Sequence, residues 1–452
     1  MKKAVEERLK RKSRLTSVKE GAAYAVSDGA GMRYIIPYAL SLGANNAHIG
    51  ILSSLPTLIG QIAQLFTLKY IETQSRKRIV FIGVLLQAIM WLLVLFVGGL
   101  FYFNVFKSSA PLLLIAVYTL LTVFGAAIVP AWISWMRDIV PFGTYGHYFS
   151  GRSRIVGTVT LSAMLFAGFL LDHFKQTKVF IGFAIIFALS FAARMISAFY
   201  MKEQYEPKFK FHDGYYFNIW QFISKMVHNN FGRFTLFVCL LHLGTFIASP
   251  FFAVYMLNRL DFSYVSFTVV MLSSTVSMLV FLKAWGKFSD RYGTLKTMKL
   301  CGYLISLVPL MWFFSYFLIG FNHYVLLGYL ILIEMFSGFL WAGFNLATSN
   351  FILEDVTQER VPLCVAYYNI FLGLGLFIGG MIGGIVSSLS FSFFGLGPLL
   401  FIFLLSFLCR IIPPIFMLPI LKETRKVDGF GVKQAKELVF SLTPSRILRM
   451  LK

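Results

Sequence analysis

Long apolar runs alternate with short polar segments along the whole chain. An α-helix needs about 20 mostly apolar residues to cross the hydrocarbon core of a bilayer. Twelve windows meet that requirement, at residues 20–43, 47–70, 78–103, 110–136, 153–172, 179–201, 233–258, 263–286, 297–320, 324–351, 362–388 and 397–421. The pattern predicts an all-α membrane protein with twelve transmembrane helices.

The distribution of Lys and Arg indicates how these helices are oriented. With both termini placed in the cytoplasm, about 34 of the 41 basic residues fall on the cytoplasmic side and about four on the other side. Three more, Arg33, Arg194 and Arg410, lie within predicted helices. A missed or extra helix would destroy this asymmetry. We therefore expect a multi-pass protein of the cytoplasmic (inner) membrane with both ends inside.

Composition adds three constraints to this prediction. Because 58% of the residues are hydrophobic and only 13% are charged, the chain cannot build a water-soluble surface for its length. The net charge of +22 comes mainly from the basic cytoplasmic segments that orient the helices in the membrane. We therefore expect no nucleic-acid partner. The four cysteines are scattered singly and predict neither a metal site nor a disulfide framework. We expect no cofactor.

The predicted helices divide into two sets of six. We assign residues 20–201 and 233–421 to the two halves, with a central cytoplasmic loop at 202–232. Basic cytoplasmic tails at 1–19 and 422–452 flank them, and contact with anionic lipid is expected for the central loop and the C-terminal tail.

The two halves repeat weakly at the sequence level. A shift of about 217 residues aligns Tyr38 with Tyr255, and a shift of about 216 aligns Asp138 with Glu354. A parallel repeat with an even number of helices predicts pseudo-symmetric halves related by an axis along the membrane normal. The binding site of such a protein is expected between its halves.

A polar segment after the eighth window carries a recognisable motif. Residues 285–296 read WGKFSDRYGTLK, in which glycines permit a tight turn between two helices. The segment resembles the cytoplasmic loop signature of the major facilitator superfamily, G-x-x-x-D-R-x-G-x-x-K/R. The matching residues are Gly286, Asp290, Arg291, Gly293 and Lys296.

The resemblance implies a secondary transporter in which this loop acts as a conformational latch. Asp290 would then meet the start of the fifth predicted helix, near Arg152 and Arg154, where a helix dipole favours an anion. By the same resemblance Asp138 belongs to the partner loop. The equivalent first-half loop departs from the motif, since Thr73 lies near the expected aspartate position.

Charged residues at membrane depth are the best candidates for a binding site, because each costs roughly 2.5 to 3.5 kcal/mol to insert. Asp28 shares a helix face with Tyr24 and Glu20, whereas Arg33 lies about 140° around a regular α-helix. Gly29 begins a Gly-Ala-Gly step at which a local distortion would be cheap. Asp28 is expected to bind protons or substrate, or to form a structural pair with Arg33.

Two further candidates lie in the second half. By the resemblance, the first, fourth, seventh and tenth helices line the central cavity. His242 lies in the seventh and can join a proton path or serve as a packing residue. Glu334 in the tenth is either a protonatable site or an exposed carboxylate near the outer mouth. Arg194, about two turns from the end of the sixth, is expected to extend to water.

These observations favour a secondary active transporter of a small organic solute, coupled to protons and acting as a monomer. The alternatives are an uncoupled exporter or uniporter, or a non-transporting receptor or channel with the same fold. A membrane enzyme would require clustered His or paired Asp at a membrane face, and the sequence has no such cluster. A phosphate-binding loop for ATP is also missing from the sequence.

Overall fold

The computed structural model describes residues 2–141, 144–175, 178–207, 218–357, 360–390, 397–423 and 427. Every regular element in these ranges is a helix. The α-helices are α1 Lys2–Val26, α2 Ile35–Ser41, α3 Asn46–Thr73, α4 Arg76–Tyr102, α5 Ala110–Ile139, α6 Tyr145–Lys175, α7 Val179–Glu203, α8 Ile219–Lys225, α9 Asn230–Val254, α10 Tyr264–Tyr292, α11 Thr294–Phe314, α12 His323–Asp355, α13 Val361–Ser388 and α14 Pro398–Met417. The prediction of an all-α protein is confirmed.

Eleven helices in the described part of the chain are long and apolar enough to cross a membrane. They correspond to all the predicted windows except the first. That window falls on a helical run from Lys2 to Ser41, which contains many charged residues before Glu20 and others at Asp28 and Arg33. The count of twelve spans therefore stays a prediction. The predicted tail at 1–19 is helical from Lys2 onward, whereas most of the tail at 422–452 and residues 208–217 of the central loop lie outside the described ranges.

The first helix is broken at the predicted position. A π-helical turn at Ser27–Gly31 and a 3-10 turn at Met32–Tyr34 connect α1 to α2. The glycines allow close packing here, because a Cβ atom on Gly29 would lie 2.4 Å from the carbonyl oxygen of Thr160 in α6. Turns of π-helix are rare inside α-helices and frequently occur at functional sites. The distortion expected at Gly29-Ala30-Gly31 is confirmed.

One compact unit consists of Met1–Asp213, Ser249–Thr268 and Leu376–Ser390. Asp172, near the end of α6, accepts hydrogen bonds from the backbone N–H groups of Tyr264 (2.6 Å) and Val265 (2.8 Å) at the start of α10. The Asn46 amide donates to the carbonyl oxygen of Ser387 at 2.8 Å. A carboxylate at a helix N-terminus satisfies backbone donors that have no partner within the helix. Side chains of the first helices thus hold the two later segments in this unit.

The second unit consists of Gly214–Ala248, Val269–Gly375 and Phe391–Lys452. Aromatic side chains fill its described core. Phe234 of α9 stacks on Phe351 of α12, with ring centroids 4.5 Å apart, and on Tyr368 of α13 at 5.7 Å. The indole N–H of Trp285 donates to the carbonyl oxygen of Phe339 at 2.7 Å. Part of the large Phe content is therefore used for packing between helices.

Candidate charged site in the first unit

The broken helix brings Asp28 and Arg33 together. An Nη atom of Arg33 lies 3.5 Å from a carboxylate oxygen of Asp28. A regular α-helix would turn these residues to different faces, whereas a π-helical turn hydrogen-bonds residue i to residue i+5 and places them on one side. The Arg33 side chain is 52% exposed and that of Asp28 is 20% exposed. The pair is therefore loosely held, and both side chains are partly exposed.

A second charged cluster is buried one to two turns earlier on α1. Glu20, which is 3% exposed, accepts hydrogen bonds from Arg152 of α6 at 3.0 Å and from the Ser197 hydroxyl of α7 at 2.9 Å. Arg194 of α7 donates to the same hydroxyl at 3.0 Å and lies 4.0 Å from Glu20. Two arginines and one carboxylate leave this cluster with an excess positive charge.

Tyr24 lies between the two clusters. It is one helical turn from both Glu20 and Asp28, and its ring centroid lies 5.0 Å from the guanidinium carbon of Arg194. A guanidinium over an aromatic face is attracted by the ring quadrupole. The structure thus places the predicted residues Tyr24, Asp28 and Arg33 in one charged region, to which Glu20 and Arg194 also belong.

Arg194 differs from its sequence-based interpretation. The side chain is 2% exposed and does not extend to water. Its Nε atom is buried and makes no hydrogen bond within the described residues. The sequence contained one signal that bears on this position. Arg410 lies 216 residues later, at the same offset as the half repeat, and is 1% exposed.

The second unit contains its own buried polar cluster around Arg410 of α14. Its guanidinium donates to the Ser406 hydroxyl at 3.0 Å and to the carbonyl oxygens of Thr245 at 3.2 Å and Ile305 at 3.4 Å. Satisfying donors in this way reduces the cost of burying a cation. The two arginines at equivalent positions therefore have different surroundings, a carboxylate in the first unit and mainly backbone oxygens in the second.

The other two predicted binding residues also lie in the second unit. Glu334 is 7% exposed and accepts a hydrogen bond from the indole N–H of Trp312 at 3.1 Å. The alternative of an exposed carboxylate is therefore wrong. His242 is half-buried, with Nδ1 2.9 Å from the Val238 carbonyl oxygen and its ring 5.4 Å from that of Trp341. The His242 ring therefore packs between its own helix backbone and the Trp341 ring.

The motif residues form the predicted tight turn between α10 and α11. Gly293 has a φ of 105°, a left-handed conformation that favours glycine. The backbone N–H of Leu295 donates to the Glu423 carboxylate at 2.9 Å, which places an anion at the start of α11. Asp290 is exposed, and Gly286 lies in the last turns of α10 with Arg291 following. Lys296 lies in the first turn of α11.

Two of the predicted partner residues have contacts inside the first unit. Asp138 pairs with Arg76 at 2.6 Å, and the Arg76 side chain is 1% exposed. Arg152 pairs with Glu20, as described above, and its guanidinium also lies 4.7 Å from the Trp132 ring centroid. Arg154 is exposed. The assignment of these residues to a latch stays a prediction.

Comparison with solved structures shows the same fold in membrane transport proteins. The nucleoside transporter NupG superposes with a TM-score of 0.64 at 16% identity, covering 92% of this chain and 99% of that one. A bacterial homologue of the iron transporter ferroportin, in an inward-facing state, gives 0.65 at 12% identity, covering 91% and 98%. An inward-facing bacterial homologue of the human lysosomal transporter Spinster gives 0.60 at 13% identity, covering 91% and 95%.

No curated protein matches the chain significantly in sequence. The chain belongs to the Major Facilitator Superfamily, whose family model matches residues 22–352 and 235–435. Membership of this family, together with the long apolar helices, identifies a multi-pass membrane transporter rather than an enzyme.

Proposed function

We propose that this protein is a secondary active transporter that moves a small organic solute by alternating access, coupled to a proton gradient. The observation that carries the proposal is the pair of Asp28 and Arg33 at the broken first helix. Intramembrane ionisable residues are costly and are retained mainly for function. Irregular backbone at membrane depth is tolerated where it lines a cavity, which fits a binding role for this segment.

Each candidate residue has a proposed role. Asp28 carries the proton or binds the solute, and Arg33 is its counter-charge or the anchor for an anionic group on the solute. Tyr24 forms part of the wall beside them. His242 and Glu334 are the candidates contributed by the second half, where a buried carboxylate that accepts from the Trp312 indole is suited to exchange a proton.

A ligand screen tests the proposed function most economically. Purified protein is unfolded thermally with sugars, organic acids, amino acids, nucleosides and amphipathic drugs at two pH values. A ligand at 100 times its dissociation constant stabilises the native state by about 2.7 kcal/mol. We expect one class to raise the unfolding temperature in a pH-dependent manner, and Asp28→Asn to keep the stabilisation but lose its pH dependence. Stabilisation by no class would count against a solute transporter.

The proposed topology has twelve spans with both termini in the cytoplasm. In a variant without its four native cysteines, single cysteines replace Lys12 and Lys107. A membrane-impermeant maleimide should label position 107 in intact cells and position 12 only after the inner membrane is broken. Labelling of both positions in intact cells would contradict the topology.

We also propose that the motif residues act as a cytoplasmic latch, with Asp290 as the carboxylate that controls the balance between inward- and outward-facing states. Spin labels at the exposed positions Ser150 and Lys287 report this balance as a distance distribution. Asp290→Ala should shift the populations, whereas Lys283→Ala, an exposed change on the same helix, should not. An unchanged distance distribution in Asp290→Ala would contradict the latch and leave the motif with only the role of a turn between two helices.

A further inference from the structure

A groove opens on the first unit at the ends of α4 and α7. It encloses about 190 Å³ and is lined by Tyr38, Gly98, Gly99, Tyr102, Phe180 and Phe183, among other apolar residues. Tyr38, from α2, forms a buried wall, and its ring lies 5.0 Å from that of Phe183. A groove with this lining suits a hydrocarbon chain better than a polar solute.

Two adjacent glycines create the space in this groove. A Cβ atom on Gly98 would lie 2.2 Å from the Tyr38 hydroxyl, so this position must be small for Tyr38 to pack. A Cβ atom on Gly99 would meet nothing within 4 Å. Gly99 is partly exposed and therefore borders open volume at the mouth of the groove. The space is suited to a flexible apolar chain.

Basic residues lie at the rim of the groove. The Lys107 ammonium lies 5.2 Å from the ring centroid of Phe101, and that ring lies 5.4 Å from the ring of Phe180, which lines the groove. Exposed Lys178 immediately precedes α7, two residues before Phe180. The two rim segments, residues 99–110 and 178–187, contain no Asp or Glu. The rim therefore has a positive charge beside an apolar groove.

The rim also has the composition of a membrane interface. Phe103 is 75% exposed and Phe106 is 68% exposed in the connection that carries Lys107. Exposed aromatic rings near lysines are typical of the headgroup region, where the ring contacts acyl chains and the ammonium contacts phosphate. In the proposed topology, with Lys107 on the outer side, the mouth of the groove lies at the headgroup level of the outer leaflet.

We propose that this groove is a binding site for an anionic phospholipid, with one acyl chain against Tyr38 and Phe180 and the headgroup phosphate at Lys107 and Lys178. The positive charge of the two lysines favours an anionic lipid over a zwitterionic one. The aromatic walls provide an apolar surface for its acyl chain. Tyr38 lies on the segment that continues from the Asp28–Arg33 break. A bound lipid would thus hold the end of the first helix against α4 and α7.

Photolabelling of the full chain in lipid nanodiscs tests this site. The probes are phosphatidylglycerol and phosphatidylcholine that carry a diazirine on one acyl chain, and the labelled peptides are identified by mass spectrometry. We expect phosphatidylglycerol to label residues 95–102 and 180–187 at least about fivefold more than phosphatidylcholine, since each of the two lysines near an anionic headgroup contributes about that factor in affinity.

Two variants and two matched controls decide the outcome. Gly99→Leu fills the groove and should remove labelling of 180–187, whereas Gly328→Leu, which also meets open space, should leave it unchanged. Lys107→Gln should reduce the preference for phosphatidylglycerol, whereas Lys202→Gln, at the other end of α7, should not. Unchanged labelling in Gly99→Leu would overturn the site. Equal labelling by both lipids with no effect of Lys107→Gln would overturn the headgroup assignment.

Discussion

Glu20→Gln should lower the free energy of unfolding by about 3–5 kcal/mol. The variant keeps the shape of the side chain but removes a carboxylate that pairs with both Arg152 and Arg194. Arg194, at 2% exposure, would keep the Ser197 hydroxyl and the Tyr24 ring but would lose its nearby negative charge. Removing one partner of a buried ion pair is costly mainly because the other charge stays buried. Thermal or denaturant unfolding in detergent measures the loss.

Two companion variants separate charge pairing from general disruption of α1. Glu7→Gln is on the same helix, 58% exposed, and pairs with Arg14, so its effect should be about 0–1 kcal/mol. The double variant Glu20→Gln/Arg194→Met should recover much of the loss, because the uncompensated cation is removed as well. Equal stability of Glu20→Gln and Glu7→Gln would contradict the interpretation of this cluster.

Asp28→Asn should abolish gradient-driven solute accumulation while exchange across the membrane continues. A carboxylate that alternates between a proton and the Arg33 guanidinium can couple the two fluxes, whereas an amide cannot take up the proton. The amide preserves size and hydrogen bonding, so solute exchange should be retained. Accumulation and exchange are measured in proteoliposomes with and without an imposed pH gradient.

Asp261→Asn is the matched control for this prediction. Asp261 is 89% exposed and pairs with Lys175 on the surface, and its left-handed φ of 47° is also tolerated by Asn. Solute accumulation by the Asp261→Asn variant should equal that by the unmodified protein. Undiminished accumulation in Asp28→Asn would exclude Asp28 as the coupling residue.

Much of the fold could be predicted because membrane helices are specified locally. Every predicted window after the first corresponds to an observed long helix, since a run of about 20 apolar residues has few other stable structures in a bilayer. The break at Gly29-Ala30-Gly31 was also predictable from the two glycines. The tight turn at Gly293 followed from the spacing of the motif.

The buried charge cluster could not be predicted in the same way, because it depends on contacts between distant segments. Glu20 was assigned to the correct helix face, but its partners Arg152 and Ser197 lie 132 and 177 residues away. An arginine near a helix end, such as Arg194, can either extend to water or be buried beside a carboxylate. Only the packing of α1 on α7 decides which of the two occurs. The arginine that recurs at the equivalent position, Arg410, indicates that the Arg194 position is unusual, but it does not specify the partners of Arg194.

Solute counterflow tests the central proposal of carrier-mediated transport most directly. Proteoliposomes are loaded with a high concentration of the solute identified by the ligand screen and diluted into a trace of the labelled solute, with no ion gradient. A carrier that alternates access exchanges internal for external solute, so labelled solute should transiently rise above its equilibrium level inside. Monotonic equilibration without an overshoot would contradict alternating access and favour a channel.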